Sequence, residues 1–261
     1  MNRCKENRRI SSVVWDFIEF VNDVGEESIT DYLVWQWRKL NEKFNYLDVK
    51  KHTRQKENKI SGADFELELW ILTYEYNISF VFQAKKLLDD YGSYYSKLNY
   101  QNGKIRQVDM LIKFAKSKNR LPFYILYTQP NNATITQCPM NKIEKTALFM
   151  TDAHTIDSFT SVYKNRPLSK NKILEKTNPF HCMFCCPLAI DDFKQYFKNY
   201  FPNIDENAEL FSEDIPNYVN MIANNEFQNI DEVISQNELF VYRNIGVLDL
   251  RKESPAHNRR S

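Results

Sequence analysis

Four polar side chains near the mouth of one hairpin have the types and spacing to do chemistry: Asp64, Glu66, Gln83 and Lys85. The stretch from Ser61 to Leu88 reads as two strands and a turn. Phe65, Leu67, Leu69 and Ile71 alternate with Asp64, Glu66, Glu68 and Trp70, the period-2 pattern of a strand with one apolar face. The return strand, Ile78 to Lys85, is rich in β-branched and aromatic residues. Tyr74 to Asn77 make the reversal, without the Asn-Gly pair that would fix the turn type. A register that sets 64 against 85 also sets 66 against 83, and opposed residues share a sheet face. Asp64, Glu66, Gln83 and Lys85 then collect on one face, while Phe80, Phe82 and Ala84 point the other way.

Such a set suits metal-dependent cleavage of phosphodiesters. A carboxylate and a second oxygen donor can hold Mg²⁺, a hard cation that takes oxygen ligands and keeps several waters. The metal polarises the phosphate and lowers the pKa of a bound water. A lysine beside it can orient or deprotonate that water and offset transition-state charge. An ordinary surface hairpin would show water the same residues, so the surrounding elements have to decide.

Those elements run in a definite order. Val13, Val14, Phe17, Ile18 and Val21 mark an amphipathic helix ending near Gly25, with residues 1–9 charged and expected to fray. Ile29, Leu33, Trp37 and Leu40 form the buried stripe of a second helix over 28–43. Glu26 and Glu27 stand at its start, where the macrodipole favours negative charge. Tyr46 to Lys56 is a polar strand whose Lys50, Lys51 and Arg54 either track a phosphate backbone or protect a sheet edge. After the hairpin come Tyr91, Tyr94, Tyr95 and Tyr100, which can pack in a core or stack on nucleobases. Ile105, Val108, Leu111, Ile112 and Ala115 define a helix over 104–118, with Gln107 near its start, and Leu121 to Thr128 is a buried strand.

Asp64 followed by Gln83-Ala84-Lys85 resembles the active site of the PD-(D/E)XK nuclease superfamily, in the Mrr-like variant where Gln replaces the second acid. The order helix, strand, strand, strand, helix, strand is similar to the core of those enzymes. Residues 25–128 also resemble an uncharacterised bacterial family of restriction-endonuclease-like proteins, through GEESITD, GADFELELW to FQAKKL, QVDMLIKFAK and LPFYILY. The resemblance implies an α/β restriction-endonuclease-like core with a mixed central sheet flanked by helices. It implies a Mg²⁺ site, with Mn²⁺ as a substitute, held by Asp64, Gln83 and Glu27, with Glu26 as the other choice for the helix acid. Lys85 completes the catalytic set, and Lys50, Lys51, Arg54 and Gln107 are the residues placed to contact nucleic acid, DNA before RNA. The amide oxygen of Gln83 can still ligate, though more weakly than a carboxylate. A role in defence against foreign DNA, alone, as a homodimer or with a partner protein, also comes from this resemblance.

Composition bounds the rest. The chain has 261 residues, 43% hydrophobic and 14% aromatic, as a folded globular protein requires. A net charge of +1 excludes a global basic field and leaves room for one local groove. No apolar run approaches the ~20 residues that cross a bilayer. The N-terminal segment lacks the apolar core of a signal peptide. Five cysteines in a long chain suggest reduced thiols and a cytoplasmic location. His181, Cys182, Cys185 and Cys186 include one C-x-x-C without a second, so a zinc knuckle is less expected than a buried strand of small apolar cysteines. Short helices are expected over 169–176, 190–200 and 215–223, and a strand pair over 239–250. One domain over 1–261 follows, with the core at 25–128, a C-terminal α/β extension at 129–250 and a disordered tail at 251–261. Two other functions stay open: a nuclease fold that only binds nucleic acid or a protein, and a regulator built on the cysteine segment. No P-loop, G-x-S-x-G or H-E-x-x-H motif occurs.

Overall fold

The structure is a computed structural model, described for residues 3–21, 23–44, 47–51, 65–88, 93–102, 104–139, 143–164, 166–203, 211–212, 214–224, 226 and 241–252. Helix α1 (Arg3–Phe20) starts inside the charged run expected to fray. Glu6 pairs with Arg9 at 2.9 Å and the Asn7 amide donates to the Arg3 carbonyl at 3.0 Å, so that polar turn is held locally. Its buried side, Ile10, Val14 and Ile18, meets α2 (Glu26–Phe44), which buries the expected Ile29, Leu33, Trp37 and Leu40. β1 (Leu47–Lys51) follows.

The hairpin forms as β2 (Phe65–Leu72) and β3 (Asn77–Leu87). Thr73 and Tyr76 close the turn through a backbone bond of 3.1 Å, with the Thr73 hydroxyl accepting from the Tyr76 amide at the same distance. Leu67 faces Phe82, Leu69 faces Phe80 and Ile71 faces Ile78, which is the expected register. One expectation fails here. Both strands are buried on both faces, so the hairpin is interior and has no solvent side. Phe65 also leaves its predicted face: it packs against Phe114 and Tyr242, opposite to Leu67, Leu69 and Ile71, so the alternation is interrupted around Glu66.

Helix α3 (Tyr95–Leu98) leads into a two-stranded ribbon, β4 (Gln101–Asn102) and β5 (Ile105–Arg106), then α4 (Gln107–Ser117) and β6 (Leu121–Thr128). Beyond lie β7 (Leu148–Asp152), α5 (Ala153–Val162), α6 (Lys170–Leu174) and β8 (Asn178–Pro179). Then come α7 (Cys182–Cys185), α8 (Pro187–Asp191), α9 (Phe193–Tyr200), β9 (Phe211–Ser212), α10 (Asn217–Ala223) and β10 (Tyr242–Asp249). Asp192 divides the helix expected over 190–200 and caps α9 by accepting from the Gln195 amide at 2.9 Å.

The main sheet has the order β1-β10-β2-β3-β6-β7-β8, with β9 alongside β3. It is mixed: β2 and β3 are antiparallel, while β3 and β6, joined through α4, are parallel. Helices cover both faces, α1, α2 and α9 on one and α4, α5 and α10 on the other. β1 does not join β2 as consecutive strands usually would. β10 lies between them, antiparallel to β1 and parallel to β2, so the C-terminal region supplies an interior strand to the core expected at 25–128. Residues 242–249 form one strand where a strand pair was expected. Among the described residues no helix is long and apolar enough to cross a membrane.

Candidate active site

The site grows from the alternation of β3. Phe80, Phe82 and Ala84 belong to the core under α2, whereas Val81 and Leu87 belong to the core under α4. Gln83 and Lys85 share the parity of the second set and face α4, as the hairpin pattern required. Gln83 is buried beside Tyr124 of β6, its parallel neighbour. Its amide nitrogen reaches only the Ala84 carbonyl, at 3.5 Å, and its Oε1 has no hydrogen-bond partner among the described residues. The Tyr124 hydroxyl and the Oε1 of Gln107, first residue of α4, are buried and unpartnered in the same way. Buried polar atoms are normally satisfied, so three such acceptors from β3, β6 and the start of α4 are a feature to explain.

Lys85 is only 9% exposed. Burial pulls its amine below the ordinary lysine range, and Lys97 adds to this; Glu26 and Glu66 oppose it. The ammonium lies 5.4 Å from the Tyr100 ring centroid. Tyr100 is fixed in turn by its carbonyl, which accepts from the Gln107 amide at 2.9 Å. Lys86 points to the other side, donating to the Val24 carbonyl at 2.8 Å.

The first turn of α2 separates the two candidate acids. Glu26 reaches β3, where its Oε1 accepts from the Lys86 backbone amide at 2.9 Å. Glu27 turns to β10 instead and pairs with Arg243 at 2.6 Å; Asp31 takes the same guanidinium at 2.8 Å. Glu26 is therefore the helix acid that the fold brings to the site strand, and Glu27 is held by Arg243. Glu66 is buried, and its charge acts on Lys85, Tyr127 and Arg243.

The remaining expected residues fall differently. Asp64 and Arg54 lie outside the described residues; in sequence Asp64 directly precedes Phe65, where β2 begins. Lys50 and Lys51 sit on β1, the outermost strand of its side of the sheet, against Ile245 and Asn244. The cysteine segment is not the reduced set expected. Cys185 is joined to Cys4 in a disulfide that ties α7 to α1, while Cys138, Cys182 and Cys186 are buried and outside any disulfide. It is also not a strand, because residues 182–185 form a helical turn. His181 is buried, neither ring nitrogen has a partner among the described residues, and burial lowers its pKa to about 3, keeping the ring neutral. Among the described residues, no group of three or more His, Cys, Asp or Glu is placed to hold a metal ion.

A buried amine below its ordinary pKa, unsatisfied oxygen acceptors and a carboxylate on the adjoining backbone can together bind an oxyanion or cation and shuttle a proton. Tyr124 and Arg243 escaped the sequence reading. Tyr124 sits in the apolar run LPFYILYT, and only the parallel pairing of β3 with β6 sets it beside Gln83.

The chain belongs to a family described as a family of unknown function (DUF6615), whose profile matches residues 3–247. No curated protein and no solved structure matches the chain.

Proposed function

We propose that this protein is a Mg²⁺-dependent nuclease with a restriction-endonuclease-like core, hydrolysing phosphodiester bonds in nucleic acid, DNA before RNA. One observation carries the reading: Gln83 and Lys85 lie two residues apart on one buried strand face, with the Gln83 oxygen unsatisfied and the Lys85 amine below its ordinary pKa. Neither burial helps stability, since an orphaned acceptor costs about 1–3 kcal/mol. A ligand removes that cost.

The donors fit a hard divalent cation. Gln83 Oε1 offers a neutral oxygen, Glu26 and Glu66 place negative charge nearby, and Asp64 adjoins the start of β2 in sequence. Mg²⁺ keeps several waters and needs one or two protein carboxylates, so a trio of acids is not required. When bound, the cation supplies Lewis acidity and a water of lowered pKa. Lys85, with its amine depressed, holds the attacking water or meets the charge that develops on the phosphate. Glu26, anchored on the Lys86 amide, sets the local field that moderates the Lys85 shift. Surrounding apolar residues, Val81 and Leu87 on β3 and Leu126 on β6, limit water around the amine.

A defence role, and action with a homodimeric or other partner, extend this proposal and rest on the family resemblance. A second reading keeps the fold as a non-catalytic binding module, favoured by glutamine standing where the acid is usual. Mn²⁺ titration followed by electron paramagnetic resonance tests the metal site. Wild type binds Mn²⁺, and Gln83→Leu and Asp64→Ala each weaken binding while the circular dichroism spectrum is unchanged. Equal Mn²⁺ affinity in all three proteins would remove these residues from any metal site.

A further inference from the structure

Tyr100 lies beside Lys85, and unlike Tyr94 it is not spent on the core. Tyr94 is 3% exposed and packs with Leu98 under the sheet, but Tyr100 is 53% exposed. Its position is set from both sides. The Gln107 amide bonds its carbonyl at 2.9 Å, and the β4–β5 ribbon that follows, with Gln101 opposite Arg106, holds the segment against the start of α4. Ile105 in that ribbon is 55% exposed as well. The segment itself is basic, and the acids that face it stand on α4 and α5. From Ser93 to Val108 the chain carries Lys97, Lys104 and Arg106 and no Asp or Glu. Arg106 is taken by Asp109 and Asp157 at 2.5 and 2.7 Å, while Lys104 is exposed.

We infer that this segment is a stacking platform for an unpaired nucleobase, so the preferred substrate is single-stranded nucleic acid. The inference rests on the proposal that Lys85 handles a phosphodiester, and it names the form of strand that reaches it. A phosphate at Lys85 lies beside a ring that is 53% exposed and whose centroid is 5.4 Å from the ammonium. A base attached to that phosphate stacks on the ring, and the exposed Lys104 meets a neighbouring phosphate. A base inside a duplex is already stacked on both sides and cannot offer a face without leaving the helix. The backbone that carries the ring is held at the Tyr100 carbonyl, so the segment need not be ordered on binding.

Binding of a short fluorescein-labelled oligonucleotide, single-stranded or annealed to its complement, is measured by anisotropy in EDTA, so no cleavage is needed for the readout. Wild type binds the single strand more tightly than the duplex. Tyr100→Ala weakens single-strand binding about tenfold, and Tyr100→Phe, which keeps the ring, stays within about twofold of wild type. Lys85→Ala lowers binding of both forms and leaves the single-strand preference in place. Undetectable binding by wild type, a duplex bound as tightly as the single strand, or Tyr100→Ala binding like wild type would overturn the inference. Wild type that binds in this pattern but never cleaves would retain the platform and sink the nuclease reading alone.

Discussion

Two polar clusters share one face of the β2–β3 hairpin and have opposite characters. Toward the turn, Glu68 is fully buried, yet both oxygens are used. Oε1 accepts from Arg120 Nε at 3.0 Å and from the Tyr218 hydroxyl at 2.8 Å, and Oε2 lies 3.0 Å from that hydroxyl. The guanidinium stacks 4.3 Å over Trp70. Burial raises the Glu68 pKa, while the Arg120 charge and the hydrogen bonds pull against it. Toward the mouth, Gln83, Tyr124 and Gln107 hold buried atoms with no hydrogen-bond partner among the described residues. The first cluster is complete in the chain alone and clips α10 to the sheet. The second leaves its buried oxygens unpartnered among the described residues. Burial alone does not mark a functional site; at the mouth, Gln83 and Tyr124 are unsatisfied on neighbouring strands, on the face that carries Lys85.

The largest effect that would break this contrast is on catalysis. Lys85→Ala should lower phosphodiester cleavage by about 10²–10⁴-fold while the urea midpoint hardly moves. The same residue swap in the closed cluster should do the reverse. Arg120→Ala strands a buried carboxylate and should cost about 3–5 kcal/mol in urea unfolding, with Mn²⁺ affinity unchanged in the folded fraction. Activity lost in Arg120→Ala without loss of stability would mean the closed cluster is also a working site.

Much of this was legible in the sequence, and the reason is locality. The hairpin register, the Gln83 and Lys85 face, and β6 over 121–128 depend on alternation within a few residues. The closed cluster was not legible because Glu68, Arg120 and Tyr218 lie 52 and 150 residues apart, and no pattern encodes that meeting. The Cys4–Cys185 bond, across 181 residues, escaped for the same reason. β10 reads as an apolar strand, but its place between β1 and β2 depends on sheet assembly, not on its own residues. Glu26 and Glu27 are adjacent in sequence; Arg243, on that late strand, decides which of them turns away from β3.

A smaller effect sharpens the contrast. Gln83→Leu removes an orphaned acceptor and should stabilise the metal-free protein by about 1 kcal/mol, where truncating Glu68 destabilises. The smallest is a pH effect. The unfolded chain holds the Lys85 proton up to the ordinary lysine value of about 10.5, and the folded protein releases it at lower pH. The unfolded state then binds more protons across that interval, so stability rises with pH there. Lys85→Met should flatten this rise in urea midpoints, and an unchanged slope would show that the amine is not depressed.

The most direct test of the central claim is cleavage itself. Purified protein is incubated with plasmid, linear and single-stranded DNA and with RNA, in Mg²⁺, Mn²⁺ or EDTA. Hydrolysis of at least one nucleic acid in Mg²⁺ or Mn²⁺, abolished by EDTA and by Lys85→Ala, is the predicted result. A folded wild type that cuts none of them with either metal, or a Lys85→Ala variant that cuts like wild type, would contradict it.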